Sequence, residues 1–126
     1  MKLNPKQFLD PPPQYTSFRN AAAAILPIPY EGGVSYGTGT AGGPDAVLEA
    51  SRHLELYDDV LKAEPYRMGI STVMPPEILT DAERMNAAVF EITKNLIDQN
   101  KFVVMLGGDH SISSACLRAL CEKYST

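Results

Sequence analysis

Five apolar residues, Phe102 to Leu106, run straight into Gly107-Gly108, and the next three side chains are a carboxylate, an imidazole and a hydroxyl: Asp109, His110 and Ser111. Apolar residues then return at Ile112, Ala115, Cys116, Ala119 and Leu120. A short continuous apolar run closed by glycine predicts a buried, parallel strand. The spacing i, i+3, i+4, i+7, i+8 predicts one face of a helix. The stretch is therefore strand, tight turn, helix, with polar groups at the carboxyl end of the strand, where open α/β sheets bind ligands. The residues leave three uses of the turn open. His110 can ligate a metal with Asp109 behind it. The turn amides and helix N-terminus can hold an anion. Asp109 or Ser111 can simply cap the helix, leaving His110 a surface residue. The anion reading is the weakest, because the turn has no Lys and lacks the spacing of the P-loop or GxGxxG.

The rest of the chain repeats the α/β alternation. Residues 21–28 are apolar, end in Pro27-Ile28-Pro29 and predict a first strand. Six glycines between Tyr30 and Gly43 make a long loop after it. Gly43-Pro44-Asp45 starts a helix over 43–53, with Val47, Ala50, Ser51 and Leu54 inward. His53 sits at its end as a surface residue. Residues 54–60 alternate at first and suit a short edge strand, with Asp58-Asp59 a solvated turn rather than a metal site; 66–73 is a weak second strand. Thr80 to Glu83 form a capping box, Thr80 as N-cap, for a helix over 80–99. Its buried stripe is Met85, Ala88, Val89, Ile92 and Leu96, and Asn100 ends it in the left-handed conformation. Residues 1–20, with four prolines, are an arm: either docked through Phe8, Leu9, Tyr15 and Phe18, or disordered.

Length and composition bound the function. With 126 residues, 44% hydrophobic and 21% charged, the chain is at most one globular domain. A net charge of −4 gives no electrostatic case for nucleic acid or an anionic membrane. No apolar run approaches the ~18 residues of a bilayer span, and the N-terminus lacks the apolar segment of a secretory leader. Cys116 and Cys121, five apart on one helix, face different ways and predict free thiols in a reducing, cytoplasmic setting.

Two motifs in order carry a resemblance. LGGDHSIS, at 106–113, resembles the first metal-ligand motif of the ureohydrolases, the arginase and agmatinase family. Upstream, Ile28-Pro29-Tyr30-Glu31-Gly32-Gly33, Ser35-Tyr36, Gly39-Thr40 and Gly43-Pro44-Asp45-Ala46, followed by Glu49-Ala50-Ser51, resemble the start of agmatinase-like members. The resemblance covers about residues 20–124. It implies an arginase-like three-layer α/β/α fold, a parallel sheet with helices on both faces, incomplete in this chain, with a domain part over 21–126 after the arm over 1–20. It implies manganese-dependent hydrolysis of a small guanidino substrate, agmatine to putrescine and urea, at a two-manganese site. It implies His110 as a metal ligand, Asp109 in support behind it, Gly107 and Gly108 shaping the turn, and Tyr30, Glu31, Gly32, Gly33, Ser35 and Tyr36 in an active-site loop. The family's DxHxD trio and DxD pair are missing, so at most one weakly held ion is expected, with little activity from the chain alone. The expected partners are a complementing C-terminal half or further copies in a homo-oligomer. The alternative is a non-catalytic truncated paralogue, an interaction module for full-length subunits.

Overall fold

The computed structural model describes residues 1–124; the expected end of the domain part at Thr126 lies outside the described residues. Three parallel strands form its sheet: β1 (Ala23–Ile28), β2 (Ile70–Thr72) and β3 (Phe102–Gly107), in the order β2-β1-β3. The helices are α1 (Gly43–Ser51), α2 (Ala82–Asp98) and α3 (Ser113–Tyr124). Every residue of β1 is buried. Its even residues, Ala24, Leu26 and Ile28, pack with Met85, Val89 and Leu96 of α2 and Ala115 of α3. On the opposite face Pro27 lies beside Pro44 and Leu48 of α1. The sheet thus carries helices on both faces, as the alternation of elements predicted. Burying Leu26 and Ile28 completely contributes about 1.5–3 kcal/mol each.

A proline in a central strand would ordinarily break a ladder. The Ala23 N–H donates to Gly69 and the Ile25 carbonyl accepts from Val73, so odd residues of β1 face β2. Pro27 is the next odd residue, and β2 has ended by then. Its missing N–H falls opposite Val73, past the last residue of β2.

Several expectations are corrected. The strand expected over 21–28 starts at Ala23, and that over 66–73 shrinks to Ile70–Thr72. Pro65–Met68 is a 3-10 turn, and Gly69, at φ +84°, bends the chain into β2. On α1 the inward residues are Pro44, Leu48 and Ser51; Val47, Ala50 and Leu54 are exposed. A buried Ser51 is tolerable because its hydroxyl donates to the Leu48 carbonyl and accepts the Leu9 amide from the arm. Asp81, not Thr80, caps α2: its carboxylate accepts the Arg84 amide at 2.8 Å, and its charge suits the positive helix end. Thr93 and Ile97 are buried on α2, while Ala88 and Ile92 are only partly so. Asn100 does take the left-handed conformation, at φ 58°. Residues 54–60 form no strand, and Asp58 accepts the Val60 and Leu61 amides in a tight turn.

The largest correction concerns β3, expected to be buried. Phe102 is exposed and Val103 to Leu106 are only partly covered. β3 is an edge strand. α3 is correspondingly bare on its outer side: Ala115 and Ala119 are buried, as is Ile112 just before it, but Cys116 is half-buried and Leu120 is exposed. The opposite edge, β2, is closed by the arm. Leu3 bridges Val73 in antiparallel fashion, the Asn4 amide donates to the Thr72 carbonyl, and the Gln7 carboxamide both accepts from the Thr72 N–H and donates to its carbonyl. Lys6 pairs with Asp45 of α1 at 2.7 Å. The arm is docked.

Candidate functional site

The turn after β3 is stitched to the exit of β1. The Gly108 amide donates to the Ile28 carbonyl at 3.0 Å and the Asp109 amide to the Tyr30 carbonyl at 2.8 Å. A Cβ on Gly108 would lie 2.1 Å from the Tyr30 oxygen, so only glycine permits this approach. Gly107 is the last residue of β3, paired with Ile28, and Gly108 alone makes the bend.

Asp109 uses both carboxylate oxygens. One accepts the Ser111 amide at 2.8 Å and the Ser111 hydroxyl at 2.5 Å; the other accepts the Gly33 amide at 2.7 Å. Burial alone would raise its pKa. The Ser111 hydroxyl, the Gly33 and Ser111 amides and the neighbouring His110 outweigh that and hold it below the usual carboxylate range. Its carboxylate therefore holds the loop after β1 and the start of the following helical turn, rather than the imidazole. The His110 ring is exposed, with Nδ1 3.5 Å from the Ser113 hydroxyl.

The glycine-rich loop after β1 is clamped a second time. The Glu31 carboxylate accepts the Gly39 amide at 2.8 Å and the Ala41 amide at 3.1 Å. The Ala41 amide first, then the Gly39 amide, hold its pKa below the ordinary glutamate range. Gly33 and Gly43, near the two ends of the loop, both approach the turn: a Cβ on Gly33 would meet Ser111 Oγ at 2.9 Å, and one on Gly43 would lie 3.6 Å from the Gly107 carbonyl. The loop therefore stands beside His110. Ser35 and Tyr36 lie at its exposed tip, Tyr36 being 96% exposed. Tyr30 departs from the expected loop role, since its side chain is 3% exposed and lies in the core beneath Gly32.

His110 borders an open cavity of about 360 Å³ that it shares with Met105, Gly107, Asp109 and Ser113. An exposed imidazole next to a cavity is a suitable donor for a divalent ion. No group of three His, Cys, Asp or Glu lies close enough to hold a metal among the described residues, and Asp109 is already engaged. Among the described residues the donor set of a two-metal centre is therefore not complete. His53 is exposed just past α1, away from any such group. Sequence reading missed the clamping by Glu31 and the pairing of Ser111 with Asp109. The Asp-x-Ser spacing, which favours a local side-chain-to-backbone turn, was the available signal for the second.

The chain is 40% identical over 125 residues to N(1)-aminopropylagmatine ureohydrolase of Synechocystis, covering 92% of this chain and 40% of that protein. It is 30% identical over 111 residues to agmatinase of Bacillus cereus, covering 87% of this chain and 38% of that one. The fold matches the crystal structure of agmatine ureohydrolase of Thermoplasma volcanium with a TM-score of 0.80 at 24% identity, over 93% of this chain and 39% of that one. The chain thus spans about 40% of the length of these relatives. A family model described as the arginase family matches residues 21–126. This chain belongs to the arginase family.

Proposed function

We propose that this chain is the N-terminal part of a manganese-dependent ureohydrolase that splits a guanidino compound into urea and an amine. His110 is one of its metal ligands, and the remaining ligands come from polypeptide outside these residues. One observation carries the reading: the turn fixed by Gly108 and Asp109 presents His110 to an open cavity at the carboxyl end of three parallel strands, beside the loop clamped by Glu31. When bound, paired metal ions would supply an activated water and charge stabilisation. This chain's own residues fix the imidazole and the loop. The stronger likeness to an aminopropylagmatine ureohydrolase favours a substrate with an extended amine tail over agmatine itself. The free thiols of Cys116 and Cys121 support a reducing, cytoplasmic setting.

The test supplies the downstream part of the Synechocystis relative to this chain with manganese, and measures urea release from agmatine and from aminopropylagmatine. Release is expected only from the combination, and His110→Ala abolishes it. Urea release by the chain alone, or by the His110→Ala combination, overturns the reading. The incomplete donor set supports a second reading, a non-catalytic partner of full-length subunits. It predicts a stable complex with a full-length relative and no turnover contributed by His110.

A further inference from the structure

A second cavity adjoins the seam that fixes His110. The Tyr30 carbonyl accepts the Asp109 amide at 2.8 Å; Asp109 borders the His110 cavity, and Tyr30 borders this one. Its volume is about 280 Å³, just below that of pockets for drug-sized molecules, so its occupant is small. Pro29, Ile78 and Leu79 give it apolar walls, Glu31 and Thr80 polar ones, and no Lys or Arg among the described residues lines it. The charges flanking it, Glu77, Asp81 and Glu83 against Arg84, are acidic on balance. Two polar groups are left over at this place. The Tyr30 side chain is buried and its hydroxyl has no partner among the described residues, which is rare for a buried polar group. That hydroxyl lies against Gly32, which also lines the cavity: a Cβ there would collide with it. The Glu31 carboxylate, for its part, accepts the Gly39 and Ala41 amides on Oε2 alone, and Oε1 takes neither.

Apolar walls suit methylenes, and a carboxylate in acidic surroundings suits a cation. The cation is an ammonium rather than a guanidinium. A guanidinium is a planar fork that seeks both oxygens of a carboxylate, and here Oε2 is taken. An ammonium spreads three separate donors, which can serve Oε1 and a hydroxyl at once. Resting on the functional reading above for the ligand's identity, we propose that this cavity binds the ammonium end of a short alkylamine. Its methylenes lie between Pro29, Ile78 and Leu79, and its ammonium donates to Glu31 Oε1 and to the Tyr30 hydroxyl. That ammonium has two sources: the tail of a guanidino substrate whose other end lies at His110, or the free diamine left after urea is released.

The experiment titrates 1,4-diaminobutane into the chain alone, in metal-free buffer, and follows the backbone amides by NMR. Saturable shifts are expected at Gly32, Leu79 and Thr80. Sodium butyrate, of the same chain length and opposite charge, should give none there. Tyr30→Phe removes one acceptor and weakens binding about tenfold. Ile78→Lys, at a side chain 41% exposed, places a cation in the cavity without touching the Glu31 clamp and abolishes binding. No saturable shift at these residues overturns the proposal, as do equal shifts with butyrate or undiminished binding by Ile78→Lys. The sources separate in the manganese-loaded combination with the downstream part of the Synechocystis relative. There Ile78→Lys raises KM for agmatine if the cavity takes the substrate tail, and relieves inhibition by diaminobutane if it takes the free diamine. Saturable binding to the chain with no urea from the combination leaves the site standing and breaks the functional reading; urea release without that binding does the reverse.

Discussion

β1 and β3 are neighbouring strands of equal length and similar composition, yet β1 is buried at every position and β3 at none. The two differ in what stands on their far sides. β1 has a strand on each flank and helices above and below; β3 has β1 on one flank and a bare cleft on the other. An apolar run reports the environment for which a strand is patterned. The environment it has in this chain is a separate fact, set by the neighbours present.

Stability measurements sharpen the contrast. Leu26→Ala, in the middle of β1, is expected to cost about 2–5 kcal/mol in urea denaturation, because the cavity it leaves has no route to collapse. Phe102→Ala, at the exposed start of β3, is expected to stay within about 0.5 kcal/mol. A cost near that of Leu26→Ala would mean that the cleft is already covered in solution. Gly108→Ala tests the seam between the two strands. Its methyl would meet the Tyr30 backbone, and a loss of about 1–3 kcal/mol is expected, with the His110 NMR signals displaced in the same sample.

A smaller effect separates the loop from both strands. Glu31 has a lowered folded-state pKa, so its clamp contributes stability above the unfolded glutamate pKa, and that contribution is lost as pH falls through the folded value. The Gly39 and Ala41 amide shifts should titrate together on the acid side of an ordinary glutamate, and Glu31→Gln should remove that titration. A midpoint at or above the ordinary value would rule the clamp out. The smallest effect is expected at Tyr30, whose buried hydroxyl has no hydrogen-bond partner in this chain among the described residues. Tyr30→Phe should be neutral or slightly stabilising in the same denaturation series.

Local patterns were the legible ones. The turn at Gly108, the helical spacing after it, the left-handed Asn100 and the Asp58 turn all depend on residues within a few positions of each other. Of the residues expected inward on α1 only Ser51 is buried, and its contact with the Leu9 amide of the arm, 42 positions away, has no local signal; Val47, Ala50 and Leu54 are exposed. The same holds for the docking of the arm, which rests on Gln7 imitating a strand partner for Thr72, and for Asp109, whose carboxylate reaches Gly33 across 76 positions. His110 stood out by its motif. That its ring is free of Asp109 could be learned only from where the loop lies.

The loop between β1 and α1 is anchored on both sides of its tip, at Gly33 by Asp109 and at Gly39 and Ala41 by Glu31. Neither anchor uses a side chain of residues 34–38: the bonds run to the backbone amides of Gly33, Gly39 and Ala41. The frame is thereby insulated from the letters written inside it. Residues at the tip, Tyr36 among them, can be exchanged for others without moving the turn that presents His110. A lineage built on this frame can vary the tip while the turn that presents His110 stays where it is.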